Sequence, residues 1–142
     1  MGPSFAAHYF QYFHFHFKED DVTFELDAGV GDNDGFVRVN YRDGYGYVCD
    51  DFWDLTDANV VCKQLGFEGA DEAYIGGTVP VAGAAYYLDN LNCTGDEASL
   101  LYCTHGGFGS HDCSTDEAAS VVCTSSQSEF WLDLRIVVTN VK

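Results

Sequence analysis

Two kinds of side chain in this sequence carry chemistry by their type and spacing: six cysteines and a surplus of carboxylates. The cysteines stand at 49, 62, 93, 103, 113 and 123, with no Cys-x-x-Cys pair among them. That spacing argues against a zinc knuckle or a thioredoxin-type redox pair and for disulfides, which persist in an oxidising compartment. Fifteen pairings are open, and spacing alone does not choose among them. Directly after Cys49 come the adjacent carboxylates Asp50 and Asp51. With 23 acidic against 6 basic residues, the formal charge is −17. Such a surface cannot track phosphates, which excludes nucleic acid, and it repels itself unless salt or bound divalent cations screen it. Hard cations such as Ca²⁺ or Mg²⁺ take oxygen ligands of this kind.

Other constellations have a plainer reading. Asp32-Asn33-Asp34-Gly35 starts like an EF-hand loop, but no Glu follows at the twelfth position, so a type I turn is expected. His8, His14 and His16 could meet a transition metal at strand spacing, and surface histidines on an aromatic strand are the simpler account. His105, Ser110, His111 and Asp112 supply the side-chain types of a hydrolase triad without a nucleophile elbow or oxyanion hole, so no catalytic residue is assigned. Asn92-Cys93-Thr94 is an N-glycosylation sequon.

The elements that must position these groups follow from periodicity. Alternation predicts a strand over 22–26, residues 36–41 read as the next strand, and 45–49 completes a hairpin through a turn at Arg42-Asp43-Gly44. Residues 84–91 and 118–124 also read as strand and loop. Ala58, Val61, Cys62 and Leu65 fall at i, i+3, i+4 and i+7, which predicts a helix capped by Thr56 and stopped by Gly66. A shorter helix is expected over 97–102. Outside this core, the aromatic run at 8–17 and the alternating run at 129–141 read as strand-forming flanks. The chain therefore divides into an N-terminal extension (1–21), a cysteine-containing domain (22–124) and a C-terminal extension (125–142).

No stretch reaches the ~20 apolar residues a membrane helix needs. Residues 1–17 lack the basic n-region and aliphatic h-region of a secretory signal. The expectation is that a leader was removed ahead of Met1 or that the chain is an excised piece.

The series Gly46-Tyr47-Val48-Cys49-Asp50-Asp51-Phe52-Trp53-Asp54, followed by Asp57-Ala58-Asn59-Val60-Val61-Cys62-Lys63-Gln64-Leu65-Gly66, resembles the scavenger receptor cysteine-rich (SRCR) domain. Leu88-Asp89-Asn90-Leu91-Asn92-Cys93, Leu100-Leu101-Tyr102-Cys103 and Glu117-Ala118-Ala119-Ser120-Val121-Val122-Cys123 extend the resemblance downstream. It implies an α+β fold in which a curved, mostly antiparallel sheet cradles one helix. Six cysteines correspond to the group A form, which implies the pairs Cys49–Cys113, Cys62–Cys123 and Cys93–Cys103. Tyr45 and Phe108 stand where the family usually has Trp, and Thr115-Asp116-Glu117-Ala118-Ala119-Ser120 departs from the usual His-x-Glu-Asp-Ala-Gly.

The resemblance also implies two cation sites, for Ca²⁺ or Mg²⁺. One would use Asp50, Asp51 and Glu117, drawn together by the Cys49–Cys113 bridge; the other would use Asp89 and Asp112. The alternative is that these residues only shape turns. The function implied is a noncatalytic extracellular binding module, secreted or at the cell surface, that recognises a polyanionic glycan or an extracellular protein through a bound cation. A structural role is the alternative, in which the terminal strands self-associate into an extracellular polymer or matrix. A third is an accessory module within a larger enzyme or receptor.

Overall fold

The structure is a computed structural model that describes residues 17–125. The three histidines of the N-terminal run and the expected strand over 129–141 lie outside the described residues. Along the described chain come β1 (Val22–Asp27), β2 (Asp34–Tyr41), β3 (Gly44–Val48), α1 (Leu55–Gln64), β4 (Ala70–Gly77), β5 (Ala85–Leu88) and β6 (Ala118–Cys123).

The long strand β2 organises the sheet. It pairs antiparallel with β1 from Phe36 to Tyr41, while its other partners divide it: Asp34–Phe36 pair with β6 and Arg38–Tyr41 with β3. One strand serving two consecutive neighbours forces the sheet to curl. β4 extends it beyond β6, and β5 adds to β3 in parallel, giving the order β4-β6-β2-β3-β5 with β1 alongside β2. β2 starts two residues before the expected position because Asp34 and Gly35 pair with Val122 and Val121. β4 was not anticipated. Its residues are mostly exposed or half-buried, so the clean alternation that marks a half-buried strand is missing.

Val37 and Val39 of β2 point into the core and meet Val48, Val60, Val61, Leu88, Leu91, Leu100 and Val121. Each such aliphatic side chain contributes about 1.5–3 kcal/mol when fully buried. Helix α1 contributes Ala58, Val61 and Cys62 to that face as its periodicity predicts, and Val60 is buried as well. Its cap differs from expectation. Asp54 in extended conformation, not Thr56, accepts the Asp57 backbone N–H at 3.0 Å, and the Asp57 carboxylate accepts the Asp54 N–H at 3.0 Å. This reciprocal capping box satisfies two backbone donors that a cap at Thr56 would leave open. The C-terminal stop at Gly66, with φ of 98°, is as expected.

All three disulfides form with the implied pairing, Cys49–Cys113, Cys62–Cys123 and Cys93–Cys103. The first ties the end of β3 to the loop before β6, and the second ties α1 to β6. The third closes the loop in which the helix expected over 97–102 is found as one 3₁₀ turn, Leu100–Tyr102.

Candidate cation and ligand-binding site

The turn after β3 is suspended between two neighbouring strands. Cys49 N–H donates to the Leu88 carbonyl (2.8 Å), Asp50 N–H to the Glu117 carbonyl (2.9 Å), and Trp53 N–H closes back on the Asp50 carbonyl (3.0 Å). Inside this closed turn Phe52 adopts φ of 65°, a conformation that costs a bulky residue about 1–2 kcal/mol. The result places the Asp51 carboxylate toward the end of β5 and the segment before Cys113.

One oxygen from each of Asp51, Asp89 and Asp112, together with Cys113 Sγ, lies within 4.8 Å of the others. Asp89 is buried, accepting from the Asn90 N–H (2.8 Å) and the Asp112 N–H (3.4 Å). Burial pushes the Asp51 carboxyl up to about 6, helped by the negative charge of Asp89, by a hydrogen bond with Asp112, and by the charges of Asp112 and Glu117. Burial likewise raises Asp89, against the pull of its two backbone donors and together with the Asp112 charge. Among the described residues the ion pairs lie elsewhere, at Arg38 with Glu25 and Asp27 and at Arg42 with Asp21. Three convergent carboxylates with no basic partner among the described residues form a donor set suited to a hard cation that prefers oxygen.

The grouping differs from the one implied by the resemblance. Asp51 joins Asp89 and Asp112 in a single cluster. The Asp50 carboxylate accepts the Gly76 N–H at 2.5 Å, pinning the end of β4, and the Glu117 carboxylate accepts the Ser114 N–H at 3.2 Å. Glu117 still acts on Asp51 through its charge. Asp34 accepts from the Val30 and Gly31 N–H groups, as a turn residue does. In the His105–Asp112 segment, both histidines use Nδ1 to accept a backbone N–H, His105 from Gly107 (2.9 Å) and His111 from Cys113 (3.0 Å). Asn92 is exposed, and its N–H donates to the Thr104 carbonyl (2.9 Å).

The structure adds two features to those read from the sequence. Asp57 is fully buried and accepts the Cys93 N–H (2.9 Å) besides the Asp54 N–H, joining α1 to the start of the short disulfide loop. Burial, only partly offset by those two donors, pushes its carboxyl up to about 6. The Asp-x-x-Asp spacing ahead of an apolar run was the available signal for it. A cavity of about 420 Å³ lined by Phe52, Asp54, Asn90, Leu91, Asn92 and Thr104 opens beside the acidic cluster.

Against known proteins, the profile of the scavenger receptor cysteine-rich domain matches residues 28–124. The chain belongs to the SRCR family. It is 40% identical over 115 residues to galectin-3-binding protein of Bos taurus, covering 80% of this chain and 21% of that protein. Lysyl oxidase homolog 3A of Danio rerio is 40% identical over 98 residues, covering 69% of this chain and 13% of that one. The chain thus spans about a fifth or less of the curated relatives cited here. Among solved structures, the SRCR domain of mouse MARCO in its dimeric form superposes with a TM-score of 0.59 at 36% identity, covering 70% of this chain and 94% of that one. The third SRCR domain of murine neurotrypsin gives 0.63 at 32% identity, covering 72% and 95%. SRCR membership and these neighbours are consistent with a binding module. Aromatic packing also persists at the two positions where the SRCR pattern usually has Trp. Tyr45 meets Tyr47 edge-on at 5.9 Å, and Phe108 packs with Phe17, Tyr41 and Tyr87.

Proposed function

We propose that this SRCR domain is a noncatalytic extracellular binding module. Its Asp51, Asp89 and Asp112 cluster would hold a calcium ion and present the ion to an anionic group of a glycan or protein ligand. The supporting observation is the convergence of three carboxylates, one of them buried, with no basic side chain paired to them among the described residues. Carboxylates forced this close favour any process that adds positive charge, and an ion bound on three ligands keeps coordination positions for sulfate, phosphate or carboxylate. Asp50 and Glu117 each accept a backbone N–H through one carboxylate oxygen, from Gly76 and Ser114, and stand outside this three-acid cluster. Magnesium is the competing occupant; its demand for short, near-ideal octahedral contacts is stricter than calcium's variable coordination.

Calorimetric titration of calcium into the wild type and into Asp51→Ala/Asp112→Ala tests this reading. Heat that saturates in the wild type and vanishes in the variant is expected. Equal heats in both proteins would remove the cluster as the site.

Self-association is the second reading, and the dimeric form of the mouse MARCO domain is the observation that favours it. Light scattering of the full chain against a variant lacking residues 1–16 tests the N-terminal flank as connector, and an unchanged oligomeric state counts against it.

A further inference from the structure

We propose that the groove lined by Phe52, Asp54, Asn90, Leu91, Asn92 and Thr104 is a docking site for an arginine side chain of a partner protein. Phe52 is 77% exposed although it is a large aromatic held at a positive φ. Its ring therefore forms an open wall of the groove. Leu91, buried, lies beneath, while Asp54, Asn90, Asn92 and Thr104 are exposed around the rim. Each of those four side chains offers an oxygen acceptor, and Asp54 carries a full negative charge. Among the described residues the lining contains no lysine or arginine, and two more carboxylates, Asp51 and Asp89, directly precede Phe52 and Asn90 in sequence.

Guanidinium matches this arrangement group for group. It stacks flat on an aromatic face, presents five N–H donors in a planar fork, and lays its aliphatic stem on apolar surface. The chain uses the same chemistry internally. The Arg38 guanidinium lies 3.7 Å from the Tyr45 ring centroid while its Nε is 3.3 Å from Glu25, and Arg42 lies 4.8 Å from the Tyr41 centroid while bonding Asp21 at 3.0 Å. Phe52 and Asp54 repeat the aromatic and carboxylate halves of that arrangement in a groove that no arginine lines among the described residues. An anionic ligand would meet the negative charge of Asp54 here, with only the neutral amides and hydroxyl of Asn90, Asn92 and Thr104 to donate to it. The helix N-terminus at Leu55 opposes a cation by only about half a charge, and Asp54 already caps it.

The inference does not depend on a bound metal, so its test is run in chelator. A capped Gly-Gly-Arg-Gly-Gly peptide is titrated into the isotopically labelled, unglycosylated full chain and followed by NMR, reading the backbone of Phe52 and the side-chain amides of Asn90 and Asn92. Localised shifts that saturate in the millimolar range are expected, with the lysine peptide binding more weakly because ammonium lacks the planar fork. Phe52→Gly, which relieves the backbone strain, should weaken binding about threefold without lowering thermal stability. Asp54→Asn, which preserves an N-cap, should weaken it about tenfold. Four outcomes would overturn the assignment. These are affinity unchanged in Phe52→Gly, equal affinity for a glutamate peptide, groove shifts with a sulfated disaccharide but not with arginine, and binding that appears only in Arg135→Ala, which would make the chain's own arginine the occupant.

Discussion

Asp51→Asn is expected to stabilise the domain in chelator and to leave it less stable than wild type in calcium. The reasoning starts from the cluster. The Asp51 carboxyl is raised from the ordinary 3.8 to about 6 by burial and by its acidic neighbours. At about 1.4 kcal/mol per pH unit the shift corresponds to ~3 kcal/mol, and solvent screening of a half-buried group reduces this to about 1 kcal/mol. The sign follows from proton uptake. Between about pH 4 and 6 the folded state binds more protons at Asp51 than the unfolded state, so stability is full below that window and is lost as pH rises through it. At pH 7 the wild type bears the whole penalty, and asparagine removes it. In EDTA at pH 7 the variant should therefore melt roughly 5 °C higher, and at pH 4 the two proteins should coincide. Calcium reverses the order. At a free concentration about 100 times its dissociation constant it would stabilise the wild type by ~2.7 kcal/mol, while the variant has lost a ligand. Differential scanning calorimetry in EDTA and in calcium, at both pH values, measures all four quantities. If Asp51→Asn lowers the melting temperature in EDTA as much as in calcium, Asp51 is holding the turn and bears no repulsion. A wild-type melting temperature indifferent to calcium would remove the cation.

Three further outcomes follow from particular contacts. Asp57→Ala leaves the Asp54 and Cys93 N–H groups without their acceptor; urea unfolding with disulfides intact should show a loss of about 2–4 kcal/mol, and a loss under ~1 would mean water replaces the carboxylate. Gly46 lies where parallel β5 approaches β3, and an added Cβ would sit 2.9 Å from the Ala85 carbonyl oxygen. Gly46→Ala should therefore cost about 1–3 kcal/mol in the same assay, unless the two strands part without penalty. Expressed through a eukaryotic secretory route, the chain should lose mass on enzymatic removal of N-glycans and Asn92→Gln should not; no mass change in the wild type would show that the Cys93–Cys103 bridge keeps the sequon from being used.

The local elements were legible because local spacing decides them. Apolar alternation located β1, the turn at Arg42-Asp43-Gly44 located the hairpin from β2 to β3, and the i, i+3, i+4, i+7 repeat located α1. Element boundaries failed where a distant partner set them. The start of β2 depends on Val121 and Val122, some 85 residues away. β4 exists because β6 offers it an open edge, not because its own residues alternate.

By itself the sequence determined the disulfide chemistry, the acidic character and the motif series of an SRCR domain, since these are properties of residue type and order. Resemblance then supplied the pairing that the structure bears out. Only the tertiary structure decided which carboxylates face one another. Asp50 and Asp51 are neighbours in the chain, yet the left-handed turn at Phe52 and the bonds that suspend it send one to the Gly76 amide and the other to Asp89 and Asp112. Side-chain direction in a turn is set by backbone dihedrals and by the strands that hold its ends, and neither can be read from residue order. The same turn exposes Phe52 over the groove, so one backbone conformation sets both the acidic cluster and the docking surface beside it.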